Sequence, residues 1–228
     1  MALLRLLRES GATRFDEAQN RLLALYWKPV YCMIRRLWGK GNEEAKDLAQ
    51  EFFTRIVLEG SLVQKYDRQR GSFRVFVKAA VGNFMRDVAK SARRQKRGGD
   101  AKMLSFQIED EDLAAIEPED SGLSPEEAFD EAWRGLVIDR AFELMKRRLA
   151  KEGKEVYFEV FSRYDLETAG PEISYKIIGD ELGLDAHSVK NYLTRARDEY
   201  KRAVTDVISE YVEGEEEIGR ELRDLLEI

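Results

Sequence analysis

The chain has 228 residues with 36% charged and 43% hydrophobic residues, one cysteine, one histidine and a formal net charge of −6. That length accommodates one large domain or two small ones, and so many charges point to long solvent-washed helices. Cys32 alone excludes a disulfide framework and a cysteine-based metal site, no apolar run approaches the roughly 20 residues of a membrane span, and "MALLRLLRESG" is too short and too interrupted by arginine for a signal peptide.

In chain order, "NEEAKDLAQEFFTRIV" predicts a helix whose apolar stripe is Leu48, Phe52 and Ile56, with Asp47, Gln50, Glu51 and Thr54 on another side. "GSFRVFVKAAVGNFMRDVAKSARR" predicts a second, longer helix. Projection at 100° per residue puts Phe73, Phe76, Val77, Ala80, Val81, Phe84 and Val88 on one half and Arg74, Lys78, Arg86, Lys90 and Arg93 on the other, with Asn83 at the border. A solvated surface face mixes signs, whereas this one has cations without acids beside them, the pattern of a phosphate-binding face.

Charge is unevenly distributed along the chain. Lys65 to Arg97 carries eleven Lys or Arg against two acids, Gly98 to Glu131 carries twelve acids against Lys102, and Asp206 to the end carries nine acids against Arg220 and Arg223. The overall negative charge therefore hides a basic surface. The stretch around residues 98–124, with a glycine pair, proline and dense acids, reads as a flexible acidic linker. "SPEEAF" starts a new helix with Ser124 as N-cap and Pro125 at its first position.

"ISYKIIGDELGLDAHSVKNYLTRARDEYKRAV" has the spacing of a helix-turn-helix. Ser174 caps the first helix, Gly183 ends it and Asp185 caps the second. In the second helix Val189, Leu193, Ala196 and Tyr200 follow the buried stripe, and His187, Asn191, Arg195 and Arg202 an outer one, with Lys190, Arg197 and Lys201 alongside. The motif's docking geometry makes His187, Ser188, Lys190 and Asn191 the base readers and Arg195 and Arg197 the phosphate ligands; a plain helical hairpin is the alternative.

Taken together, these stretches resemble the extracytoplasmic-function (ECF) sigma factors of bacteria, over residues 20–97 and 125–205 and with the motifs in the family's order. "EEAKDLAQEFFTRIV" is similar to region 2.2, which docks on the clamp helices of the largest RNA polymerase subunit; the resemblance implies core-polymerase contacts at Asp47, Leu48, Gln50, Glu51 and Phe53. "YDRQRGSFRVFVKAAVGNFMRD" is similar to regions 2.3 and 2.4, which implies −10 element contacts at Arg74, Lys78, Asn83, Arg86 and Lys90. The helix pair is similar to region 4.2, the −35 reader. "YWKPVY", "KRGG" and "PEEAFDEAW" resemble a subgroup whose carboxy terminus carries a helix like "RELRDLL". Gly179 stands where the family usually has alanine, the segment "KEGKEVYFEVFSRYDLETAGPE" replaces the usual run before region 4.2, and region 2.3 lacks the tryptophan pair of primary sigma factors.

The expectation is an all-α, two-domain, cytoplasmic DNA-binding protein: region 2 over 1–97, the linker over 98–124, region 4 over 125–205 and an acidic helical extension over 206–228. Its partners would be core RNA polymerase, promoter DNA and an anti-sigma factor. The alternatives are a stand-alone helix-turn-helix regulator and a polymerase-binding regulator without promoter specificity. With a single histidine, His187, and no phosphate-binding glycine loop, no catalytic residue, cofactor or metal is assigned. Cys32, Trp27, Trp38 and Trp133 are assigned to the core. The linker and the tail, with its apolar stripe at Ile218, Leu222 and Leu225, are candidates for masking the basic face of Arg74, Lys78, Arg86 and Lys90 in the free protein; the alternative is a tail helix packed on region 4.

Overall fold

A computed structural model describes residues 12–39, 41–55, 65–95, 122–166, 174–212 and 214–226. Among them the regular structure is entirely helical: α1 Ala12–Trp38, α2 Asn42–Phe53, α3 Phe73–Gln95, α4 Pro125–Lys151, α5 Glu155–Phe161, α6 Tyr175–Leu182, α7 Ala186–Ser209 and α8 Glu215–Leu226. A 3-10 turn at Arg68–Arg70 precedes α3 and a π turn at Ser162–Leu166 follows α5. No described helix is long and apolar enough to cross a membrane. Most of the expected linker, residues 98–121, lies outside the described residues, as do Ile56 and the side chains of Trp38 and Arg93.

The chain divides into two compact units, one comprising Met1–Gly135 with Glu210–Ile228 and the other Leu136–Ser209. Both divisions differ from the expected boundaries, because the start of α4 and all of the carboxy-terminal extension group with the amino-terminal unit. The reason lies in what those segments bury. Tyr26 of α1 meets Phe73 of α3 edge to face at 5.4 Å, Phe129 of α4 at 6.3 Å and Tyr211, just beyond α7, at 6.2 Å. All four rings are at least 99% buried, and aromatic pairs of this geometry add to the area they remove from water. An unpaired α4 amino terminus or a free tail would leave Phe129, Trp133 and Tyr211 in solvent.

Each helix of this unit starts or docks for local reasons. Ser124 and Glu127 form a full capping box on α4: the Glu127 N–H donates to Ser124 Oγ at 3.2 Å and the Ser124 N–H donates to Glu127 Oε2 at 2.7 Å. That bond holds the Glu127 carboxyl below its ordinary pKa. Helix α2 begins without a side-chain cap at Gly41, with Glu43 and Glu44 in its first turn where the helix dipole favours anions, and Arg35 of α1 donates to Asn42 Oδ1 at 2.6 Å. The buried face of α2 is Ala45, Ala49, Phe52 and Phe53, rotated from the expected Leu48–Phe52–Ile56 stripe, and Leu48 is half-buried. Two alanines let α2 approach α1 closely, so the larger Leu48 is left at the edge. Cys32 is buried in α1, and burial pushes its thiol up to about 11, which makes it inert at neutral pH.

In the second unit Phe142 of α4 stacks on Tyr200 of α7 at 4.8 Å and Tyr157 of α5 on Tyr192 at 4.3 Å. Val189, Leu193, Ala196, Ala203 and Val204 of α7 are buried at helical spacing. Helix α6 is capped by Ser174, whose Oγ accepts from the Ile177 N–H, and stops at Gly183 in the left-handed region at φ 67°, where a side chain would be strained. Gly179 has a second reason to be glycine. The Leu184 N–H donates to the Gly179 carbonyl at 2.8 Å, and a Cβ on Gly179 would lie 2.5 Å from the Leu184 carbonyl oxygen.

Gly179→Ala sets about 1 kcal/mol of helix propensity against roughly 1–3 kcal/mol of overpacking. The backbone carbonyl cannot swing away as a side chain would, so the clash wins and urea unfolding should show a destabilised second unit. A stabilised variant would mean that the turn relaxes freely.

Candidate nucleic-acid interface

The α3 helix carries the first group of expected DNA contacts, and the structure treats its cations differently. Arg74 is 5% exposed, not an open phosphate ligand. Its Nη1 donates to Asp130 at 2.5 Å, its Nε to Glu221 at 3.1 Å and its Nη2 to Asp224 of α8, while the guanidinium lies over the Trp133 ring at 4.4 Å. Lys78 reaches Asp130 at 2.6 Å. Arg86 donates to the Asn83 side-chain oxygen at 2.5 Å and to the Gly82 carbonyl, and Lys90 is 3.6 Å from Asp87. The expectation of unpaired cations is therefore corrected: acids distant in sequence neutralise Arg74 and Lys78, while Asn83, Arg86 and Lys90 remain exposed with only local partners.

The acids around Arg74 outnumber the bases, and this decides where protons go. Burial pulls the Arg74 pKa down, but Glu221, Asp130 and Asp224 outweigh it and hold the guanidinium charged. Glu221 is 0% exposed; its burial raises the carboxyl above its ordinary value by more than Arg74 and Ser72 lower it, and Asp224 adds slightly to the rise. Glu217 is also buried and accepts from the Tyr66 hydroxyl at 2.7 Å. The inner face of α8 is thus acidic, not the apolar stripe of Ile218, Leu222 and Leu225 that its sequence suggests; of those three only Leu225 is buried.

On α2, Asp47 is exposed, and Leu48, Gln50 and Glu51 are half-buried, Glu51 pairing with Arg55 at 2.5 Å. Phe53, expected among the polymerase contacts, is 4% exposed, stacks on Trp27 at 5.5 Å and meets Phe52 edge to face. It is a core residue here, available to a partner only through the surface that Asp47, Leu48 and Gln50 present.

In the second unit α7 presents His187, Lys190, Asn191 and Arg195 as exposed side chains on successive turns, with Lys201 and Arg202 further along. Ser188 has another task. Its N–H donates to Asp185 Oδ1 at 2.9 Å and its hydroxyl to Oδ2 at 2.7 Å, which caps the helix and lowers the Asp185 pKa. Arg197 makes two hydrogen bonds to Asp165, at 2.9 and 2.6 Å, and lies over the Tyr164 ring at 5.5 Å. Tyr164 in turn meets Tyr175, and Arg163 pairs with Glu181, so the π turn is fastened to both helices of the pair. Arg195 is 3.4 Å from the Tyr157 hydroxyl. Arg197, read from sequence as a phosphate ligand, is held as a strut, and no spacing rule in α7 itself could reveal Asp165.

No family model, curated protein or solved structure matches the chain.

Lys190→Ala should reduce the salt slope of duplex binding by about 1, whereas Arg197→Ala should leave the slope unchanged and lower the unfolding midpoint of the second unit. Titrating duplex against salt concentration checks both. A slope that falls with Arg197→Ala would return that residue to the phosphate contacts.

Glu221 gives a pH signature. Between the ordinary carboxyl value of 4.5 and the raised folded value, the folded chain holds a proton on Glu221 that the unfolded chain releases. Stability in that window therefore falls as pH rises, and above it the charged, buried carboxylate persists at full cost. Glu221→Gln should be as stable as the parent, or up to about 1 kcal/mol more stable, at neutral pH and should flatten that window in urea melts. A loss of roughly 3–5 kcal/mol would instead mean that the ionised pair is indispensable.

Proposed function

We propose that the chain is a transcription initiation factor of the ECF sigma type, which binds core RNA polymerase and directs it to promoters by reading −10 and −35 elements. The observation that carries this reading is the helix pair of the second unit. Two short-linked capped helices meet at Gly179, and the second offers His187, Lys190, Asn191 and Arg195 in its exposed early turns. Exposed amino-terminal side chains on the second helix of such a pair suit base edges in the major groove, and the cations behind them suit phosphates. The resemblance of three stretches, in the family's order, supplies the polymerase and the −10 element. The exposed Asp47 with half-buried Gln50 and Glu51 supports a docking role for α2, and Asn83, Arg86 and Lys90 support a nucleic-acid role for the distal half of α3. In this reading the chemistry belongs to the polymerase and the chain has no catalytic activity of its own.

Co-purification with core polymerase followed by run-off transcription on a genomic library tests the proposal. Asp47→Lys with Glu51→Lys should weaken core binding by about 2 kcal/mol or more without altering the helical circular dichroism. Asn191→Ala should change promoter preference at one position. Duplex binding without core binding would turn the reading toward a stand-alone helix-turn-helix regulator.

A further inference from the structure

The carboxy-terminal helix does more than complete a core. Its Glu217, Glu221 and Asp224 lie one and two turns apart on a single face, and all three engage the entry to α3: Glu217 through Tyr66, Glu221 and Asp224 through Arg74. Asp130 takes the Nη1 end of the guanidinium and also Lys78. Glu221 and Asp224 take the other edge, Nε and Nη2, with one carboxylate each. That edge is the fork that grips two oxygens of one phosphate. Two separate carboxylates from α8 therefore occupy the edge that a single phosphate grips with two oxygens.

The chain ahead of α8 is anchored independently of that helix. Tyr211 and Val212 are buried, Tyr211 against Tyr26, and hold the chain ahead of α8 in the aromatic core. Gly214, at φ 93°, a conformation that favours glycine, then turns the chain into α8. Removing α8 would release the Nε and Nη2 edge of Arg74 while Asp130 and Trp133 keep the guanidinium oriented.

We infer that α8 is a competitor for nucleic acid carried in the same chain, an acidic helix that withholds Arg74 from phosphate and that nucleic acid on this face displaces. The inference rests on the proposed function only for the identity of the competitor. Binding and displacement are reciprocal: what loosens α8 tightens nucleic acid, and nucleic acid loosens α8 by the same factor.

The test uses the full chain and a short random-sequence DNA duplex, with affinity read by fluorescence anisotropy and α8 docking by hydrogen exchange over residues 215–226. Glu217→Gln with Asp224→Asn should bind the duplex about tenfold more tightly and exchange faster in α8. Glu215→Gln with Glu216→Gln removes the same charge from exposed positions of α8 and should stay within about twofold of the parent, which separates displacement from a general change in charge. Saturating duplex should speed exchange in α8 of the unsubstituted protein and leave α1 unchanged. Should the double variant unfold, Asp224→Asn alone, at a half-exposed position, and the duplex-induced exchange decide the matter. Equal affinities for both double variants, or α8 protection unmoved by saturating duplex, would overturn the inference. Loss of polymerase-dependent transcription with α8 displacement intact would instead remove the sigma reading and leave the competitor in place.

Discussion

The guanidinium of Arg74 fixes the organisation of the amino-terminal unit. It is nearly inaccessible, so its charge has to be met by protein, and the acids that meet it come from α4 and α8, separated from it by 56 to 150 residues of chain. A buried charge left without partners costs several kcal/mol, which draws the amino terminus of α4 and the last helix to α3 beside the aromatic contacts. Trp133 below the guanidinium and Tyr66 beside it complete a site with more negative than positive groups. Glu221 is the least accessible of them, and its burial, helped by Asp224 beside it, raises its carboxyl above the ordinary value.

The carboxy-terminal unit is ordered by a different constraint, the close approach of two helix ends. Gly179 lies against the Leu184 carbonyl, Gly183 turns the chain in the left-handed region and Asp185 restarts it as a cap, so three adjacent requirements of backbone geometry set the angle of the pair. The π turn at Ser162–Leu166 then braces it through Asp165 to Arg197 and Arg163 to Glu181. Side chains spent on this bracing already hold a partner within the protein. Of the contacts expected on α7, His187, Lys190, Asn191 and Arg195 are exposed outside this bracing, whereas Arg197, though exposed, is tied to Asp165.

These two arrangements bear differently on function. The cations of α7 and of the distal half of α3 are exposed to solvent, whereas Arg74 and Lys78 are paired with acids from remote segments. A protein with an overall charge of −6 can thus present basic surfaces because its acids are concentrated in a few segments, and one of those segments is placed against the buried Arg74.

Helical class, caps and the spacing of the helix pair were legible in the sequence because they depend on residues within a turn or two of one another. Ser124, Ser174, Gly183 and Asp185 act where local reading puts them, and the 3.6-residue period assigned Val189, Leu193 and Ala196 to the interior. The same period misplaced α2 by one position on its face and gave α8 an apolar stripe, since it ranks residues by hydropathy and knows nothing of what each face will meet. Whether Arg74 is a phosphate ligand or the centre of a buried ion cluster depends on Asp130, Glu221 and Asp224 arriving from remote segments. Arg197 likewise depends on Asp165 across 32 residues. Charges act through space with partners that sequence separation does not rank, so only the tertiary structure decided that Arg74, Lys78 and Arg197 are tied to acids from remote segments.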